Sequence, residues 1–204
     1  MSHHFTFSII GAHIKNAEKE VNSMFNVDSV KNEDGNYTEK EEEIFVENIK
    51  HGILALYSLN AALESLVAYL ADKFHINKEV SFDNERNKFY IRLDKLKERK
   101  VITNLVSLSA CIELREHRNT VTHWEENTTY LYGTSSYLPF MFEKAEPKRD
   151  VEKFIGIFTK KRFLHYLKEF NKLLEDIINN TKKFEEGYLR YQLECMKNGK
   201  LIFE

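Results

Sequence analysis

The positions Ile49, Ile53, Leu56, Asn60, Leu63, Val67, Leu70 and Phe74 step alternately by four and three residues, so on a helix they share one face. This spacing predicts a single helix over 39–74, about 50 Å long. A helix with a continuous apolar face is stable only when other elements cover that face. Its start is marked by Thr38 with Glu41 three residues on, a capping box that opens an acidic first turn.

A second run of the same spacing links Phe163, Leu167, Phe170, Leu174, Ile177, Thr181, Phe184, Tyr188 and Tyr191, after Thr159 as an N-cap. It predicts another long helix, weakened at Gly187. Between the two lie a short helix over 84–99, with Phe89, Leu93 and Leu96 inward, and a helix over 103–122. The latter carries Leu105, Leu108, Ile112 and Leu114 or Arg115 inward. Near the N-terminus Phe5, Phe7 and Ile9 alternate like a short strand, and Ile14, Ala17, Val21 and Met24 fit one face of a helix. "KNEDGNY" is a turn-rich connector. "TTYLYGTSSYLPFMF" is β-branched and aromatic, and it predicts a small hairpin or ordered loop.

The chain has 204 residues, with only seven glycines and two prolines, Pro139 and Pro147, both of the latter within 124–158. These features predict one domain over 1–204, with an N-terminal extension (1–37) and an insert (124–158). The expected fold is all-α: a helical bundle with two long antiparallel helices, shorter helices between them, and a small irregular or β-hairpin insert. A net charge of −2 excludes a uniformly basic nucleic-acid binder but not a local basic patch. Lys148, Arg149, Lys153, Lys160, Lys161 and Arg162 form one such cluster, although a charged face more often only solvates a helix.

Cys111 and Cys195 form no C-x-x-C pair, so neither a disulfide framework nor a metal centre is expected, and a reducing compartment fits. The opening residues lack a basic n-region and a cleavage site. No apolar stretch approaches 18 residues, so no membrane span is expected. The expected location is cytoplasmic, without membrane or cofactor.

The stretch "LREHRNTVTHW" carries the chemistry. Arg118 is followed directly by Asn119, then by His123 five positions on, and by Trp124, the single tryptophan. With eight arginines and eight histidines, an Arg–His pair at one of three allowed spacings arises about once by chance in this chain. An asparagine directly after the arginine lowers that expectation about tenfold. Histidine moves protons near neutral pH, and the arginine fork matches phosphate oxygens. A bland reading stands beside this one. A histidine near a helix C-terminus is favoured by the helix dipole, and Arg118 could pair with Glu113 or Glu116.

The element Arg118-Asn119-Thr120-Val121-Thr122-His123, at the end of an amphipathic helix, resembles the R-x(4–6)-H signature of the HEPN superfamily. The order of helices is also similar: "LNAALESLVAYL", then "RLDKLKER", then "LREHRNTVTH", covering about 39–124 and the last long helix. The N-terminal extension and the insert have no counterpart in the resemblance. It implies a metal-independent endoribonuclease in which Arg118, His123 and Asn119 are catalytic. It also implies a homodimer and toxin–antitoxin or phage-defence biology, with a nucleotidyltransferase-like antitoxin as a further partner. The alternative within the family is a non-catalytic module that binds a nucleotide or a protein.

On an ideal helix Arg118 and His123 point about 140° apart, so one chain alone makes a splayed site and two copies are expected to complete it. Around that core Arg115, His117 and Trp124 are candidate RNA-binding residues, against the commoner roles of solvation and aromatic anchoring. Asn60 and Glu64 are expected to face the motif helix, because a polar side chain in an apolar face needs a partner. The competing role for Asn60 is to fix packing register.

Overall fold

The structure is a computed structural model that describes residues 5–6, 9–26, 39–79, 88–122, 157–184, 187–199 and 202–203. Strand β1 (Phe5–Thr6) leads into helices α1 (Ile9–Ser23), α2 (Glu39–Lys73), α3 (Ile76–Glu79), α4 (Lys88–Glu98) and α5 (Leu105–Thr122). Helix α6 (Lys160–Thr181), a 3-10 turn over Lys182–Phe184, helix α7 (Gly187–Lys197) and strand β2 (Ile202–Phe203) complete the order. The protein is an all-α helical bundle. Its two strands are two residues each and pair antiparallel, Phe5 with Phe203 and Thr6 with Ile202. The expected Thr38 cap, the "KNEDGNY" connector and the hairpin over 124–156 lie outside the described residues.

Helix α2 is the centre of the bundle. The expected face is buried at Ile49, Leu56, Asn60, Leu63, Val67, Leu70 and Phe74, and Ile53 packs against it partly buried. A second face, Ala55, Leu59, Ala62 and Leu66, is buried as well. The small residues on this second face let neighbouring helices approach closely, since interaxial distance follows side-chain size. By length and composition α2 over Glu43–Lys73 could cross a membrane, which corrects the expectation that no apolar stretch is long enough. Here that helix is the core around which the others pack.

Cross-helix contacts fix the directions. Asn16 meets Ser58, Glu20 meets His51, and the Phe25 backbone meets Asn48, so α1 runs antiparallel to α2. Thr103 and Asn104 meet Asp176, Ser107 meets Glu169, and Glu113 meets Tyr166, so α5 runs antiparallel to α6. Gly52 lies against Phe163 and Phe74 against Phe184, so α2 and α6 run parallel. The antiparallel arrangement expected of the two long helices is thereby corrected. The apolar spacing that identified both helices is the same in either direction.

The second long helix is also divided. Its expected face is buried through Phe163, Leu167, Phe170, Leu174, Ile177 and Thr181. Thr159 caps its start, accepting from Arg162 N at 3.4 Å. After Thr181 the chain turns, and α7 folds back so that Gln192 reaches the Tyr69 hydroxyl. Leu189, Leu193, Cys195 and Met196 are buried, while Phe184, Tyr188 and Tyr191 are exposed, contrary to the four-three pattern. Reversal buries a different face of the same segment.

The start of α5 is locked to α6. Helix α4 ends in a Schellman turn: Lys100 has φ 58°, Val101 N bonds Leu96 O at 3.0 Å, and Lys100 N bonds Lys97 O at 2.9 Å. Val101 and Ile102 then enter the core. Asn104 caps α5 by accepting from Ser107 N at 3.1 Å. Asp176 receives Thr103 N at 2.7 Å, Thr103 Oγ1 at 2.6 Å and Asn104 N at 2.8 Å. Leu105, expected inward, is 61% exposed, because this cap places it on the outer side of the first turn.

Two tests follow from these contacts. A Cβ on Gly52 would lie 2.6 Å from the ring of buried Phe158 and 3.2 Å from that of Phe163. Gly52→Ala is expected to destabilise by about 1–3 kcal/mol through overpacking, despite alanine's helix-propensity advantage of about 1 kcal/mol; urea unfolding measures it. Burial pushes the Asp176 carboxyl up, but the hydrogen bonds from Thr103, Asn104 and Asn180 outweigh it and hold the group below the usual aspartate value. A lowered folded value means its stabilisation is full above about pH 4, where unfolded aspartate is ionised, and is lost as pH falls through the folded value. Asp176→Asn is expected to cost about 1–2 kcal/mol at neutral pH, with the gap to wild type closing in acid, as read by unfolding at several pH values.

Candidate functional site

Helix α5 presents two different polar faces. Arg115 and Arg118, one turn apart, turn toward α2, while His117, about 100° around the helix from Arg118, turns toward α6. On the α2 side one carboxylate oxygen, Glu64 Oε1, lies 2.8 Å from Arg118 Nη2 and 3.2 Å from Arg115 Nη2. With the Asn60 carboxamide turned oxygen-inward, that oxygen accepts from both Nε and Nη2 of Arg118 at 3.0 Å. Asn60 and Glu64 are one turn apart on α2, so they meet the same guanidinium.

The structure thus brings together Arg118, Arg115, Asn60 and Glu64. The local partners open to Arg118, Glu113 or Glu116, give way to a carboxylate 54 residues distant. Burial explains the choice. Asn60 is 4% exposed, and a buried amide without a partner costs about 1–3 kcal/mol. Meeting Arg118 satisfies it.

Arg115 is held from the other side as well. Its guanidinium carbon lies 4.7 Å from the centre of the Phe89 ring and 5.4 Å from that of Tyr90. Such stacking contributes about 0.5–2 kcal/mol, more as water is excluded. Arg115 Nε is buried and has no hydrogen-bond partner. Neither aromatic residue was expected near the motif helix, although Phe89 was expected on the inner face of its own helix.

On the α6 side the Tyr166 hydroxyl donates to Glu113 Oε1 at 2.9 Å and lies 2.8 Å from His117 Nδ1. The hydroxyl has a single proton, so His117 Nδ1 carries a proton and donates to the Tyr166 oxygen. Burial, reinforced by the Glu113 hydrogen bond, pushes the Tyr166 phenol well above its ordinary value, so it stays neutral. His117, a candidate RNA-binding residue, packs between α5 and α6. Glu113 and Tyr166 were missed. Their only signal in the sequence is the four-residue spacing of Glu113 and His117.

Asn119 is half-buried beside Arg118. His123 and Trp124 lie outside the described residues, as do Lys148, Arg149 and Lys153. Lys160 does not join a basic surface: its Nζ donates to Asn22 O at 3.1 Å and Met24 O at 2.7 Å, capping the end of α1. Among the described residues no three His, Cys, Asp or Glu side chains gather closely enough to hold a metal ion. Burial, with the Glu169 charge, pushes the Cys111 thiol up to about 12, so it is not a reactive nucleophile.

Chemically, the α2–α5 junction holds two permanent cations, one carboxylate and one neutral acceptor. Two guanidinium groups match the charge and geometry of an anion, and Glu64 is the member of the set able to take up a proton. No protein-family model matches the chain, and neither a curated protein nor a solved structure matches it.

Asn60→Ala removes the buried acceptor of Arg118 Nε. The expected loss is about 1–3 kcal/mol of stability, measured by urea unfolding, with a larger loss than for Ala at the exposed Glu47 of the same helix.

Proposed function

We propose that this chain is a HEPN-type endoribonuclease, cytoplasmic, acting as a homodimer in toxin–antitoxin or phage-defence biology, with a nucleotidyltransferase-like protein as its antitoxin. The observation that carries the reading is Arg118, anchored by Asn60 and Glu64 on the central helix, at the end of α5 and five positions before His123.

In this mechanism His123 takes the proton of a ribose 2′-OH while its oxygen attacks the adjacent phosphorus. The new O2′–P bond forms as the P–O5′ bond breaks, and the leaving 5′ oxygen receives a proton from the second copy's histidine. Arg118 neutralises charge growing on the phosphoryl oxygens. Asn119, one helical turn before His123, orients the phosphate. Attack by the 2′-OH supplies the nucleophile from the substrate itself, so the reaction requires no metal.

The splay between positions 118 and 123 is the reason for two copies. Leu54 and Tyr57, large apolar side chains exposed on α2 within the two turns before Asn60, support a contact with a second copy. A second reading, a binding module without catalysis, is favoured by the internal commitment of Arg118 to Asn60 and Glu64.

Purified protein incubated with RNA in excess EDTA is expected to yield 2′,3′-cyclic phosphate and 5′-hydroxyl ends, and light scattering to report about twice 24.2 kDa. Arg118→Ala and His123→Ala are each expected to lower the rate at least a hundredfold. Undiminished cleavage by the double variant would refute the assignment. Intact RNA, together with a nucleotide-induced rise in melting temperature, would favour the binding module.

A further inference from the structure

We infer that Arg115 and Arg118 together form a site for a phosphate group, and that the Glu64 carboxylate fills it in the ligand-free protein as a built-in competitor. The inference rests on the reading of Arg118 as a phosphate-handling residue and adds a means of regulation to it.

The first observation is the bridge itself. A single oxygen of Glu64 contacts both guanidinium groups, at 2.8 and 3.2 Å. That is the position a phosphate oxygen takes when two arginine forks converge on it. The second is the balance of charge and donors. Two permanent cations converge on one carboxylate oxygen, and the buried Arg115 Nε lacks an acceptor. A group with more oxygens and more charge satisfies the pair better than Glu64 does.

The third is which member is free to leave. Arg118 is gripped by Asn60, which is buried, and Arg115 is stacked on Phe89 and Tyr90. The Glu64 side chain is 38% exposed, against 14% for Arg115 and 20% for Arg118. The cations are fixed and the anion lies at the solvent end. Rotation of Glu64 into water leaves the arginine pair in place, and an ion pair with one partner half-exposed to solvent holds less firmly than a buried one. Asn60 is the positioning residue; Glu64 is the gate.

The ligand chemistry is a phosphate group, carried by a single-stranded nucleic acid or present as free phosphate. Binding of inorganic phosphate and of a short 2′-deoxy oligonucleotide is measured by calorimetry for the wild type, Glu64→Gln, Glu64→Asp and Arg115→Ala. Neither probe has a 2′-OH, so the result is independent of whether the chain cleaves RNA. Glu64→Gln is expected to tighten binding about threefold to tenfold, because a competing like charge is gone. Arg115→Ala is expected to weaken it.

Tightening for both probes supports the site with a nucleic-acid strand as ligand, and tightening for phosphate alone supports it with free phosphate. Glu64→Asp, one methylene shorter and further from the arginines, is expected to tighten binding to a smaller degree, and it carries the test if Glu64→Gln melts below wild type. Unchanged or weaker binding in a Glu64 variant that melts like wild type overturns the inference and makes Glu64 a brace.

Discussion

Burial of α2 on two faces obliges each polar group along it to find a partner in another helix. Hydrophobic contact is non-directional and would accept several registers of one helix on another. The polar side chains do not. Asn48 exchanges hydrogen bonds with the backbone of Phe25, Ser58 receives Asn16, and His51 meets the buried Glu20, which together fix α1 along the first half of α2. Asn60 and Glu64 fix α5 along the second half. A shift of one turn would strand several of these groups at a cost of about 1–3 kcal/mol each, a large share of the stability of a domain this size.

The same pairings make α5 a rigid presenter of its last turn. Asp176 grips the backbone ahead of its first turn, Glu169 receives Ser107 near the start, Tyr166 meets Glu113 and His117 further along, and Asn60 with Glu64 holds Arg118 near the end. The first three contacts come from α6 and the last from α2, on different sides of the helix. A residue at the end of such a helix has a defined position before any ligand arrives, which phosphate chemistry requires of its cations. In Arg118 the structural role and the proposed chemical role coincide: the guanidinium that satisfies a buried amide also lies one turn from a second guanidinium. The Glu64 carboxylate between them belongs to both roles, and its exposure is what separates it from Asn60.

Much of this was legible in the residues. The α2 boundaries, the buried face of α1, the Thr159 cap and the existence of α4 and α5 follow from spacing and capping, which are local properties. Even the partnership of Asn60 and Glu64 with the motif helix was legible, because a polar residue in an apolar face demands one. Less was legible where the decision is non-local. The second buried face of α2 is written in alanines, whose weak hydrophobicity gives little signal although their smallness is what packing uses. The choice of Glu64 over Glu113 as the partner of Arg118 compares two carboxylates that sequence distance would rank the other way.

The sequence by itself determined that the chain is helical, where its two long helices begin, and that an arginine, an asparagine and a histidine follow one another near the end of a further helix. Periodicity and caps depend on neighbours within a turn or two, so they need no fold to be read. Only the tertiary structure decided that α6 runs parallel to α2, that the last segment reverses after Thr181, and that His117 and Arg118 part toward different helices. An apolar stripe is the same read in either direction, and its continuation is buried only as far as there is a partner to cover it. Those outcomes belong to the packing of whole helices, where the length of α2 and the partners of its buried polar groups set the terms.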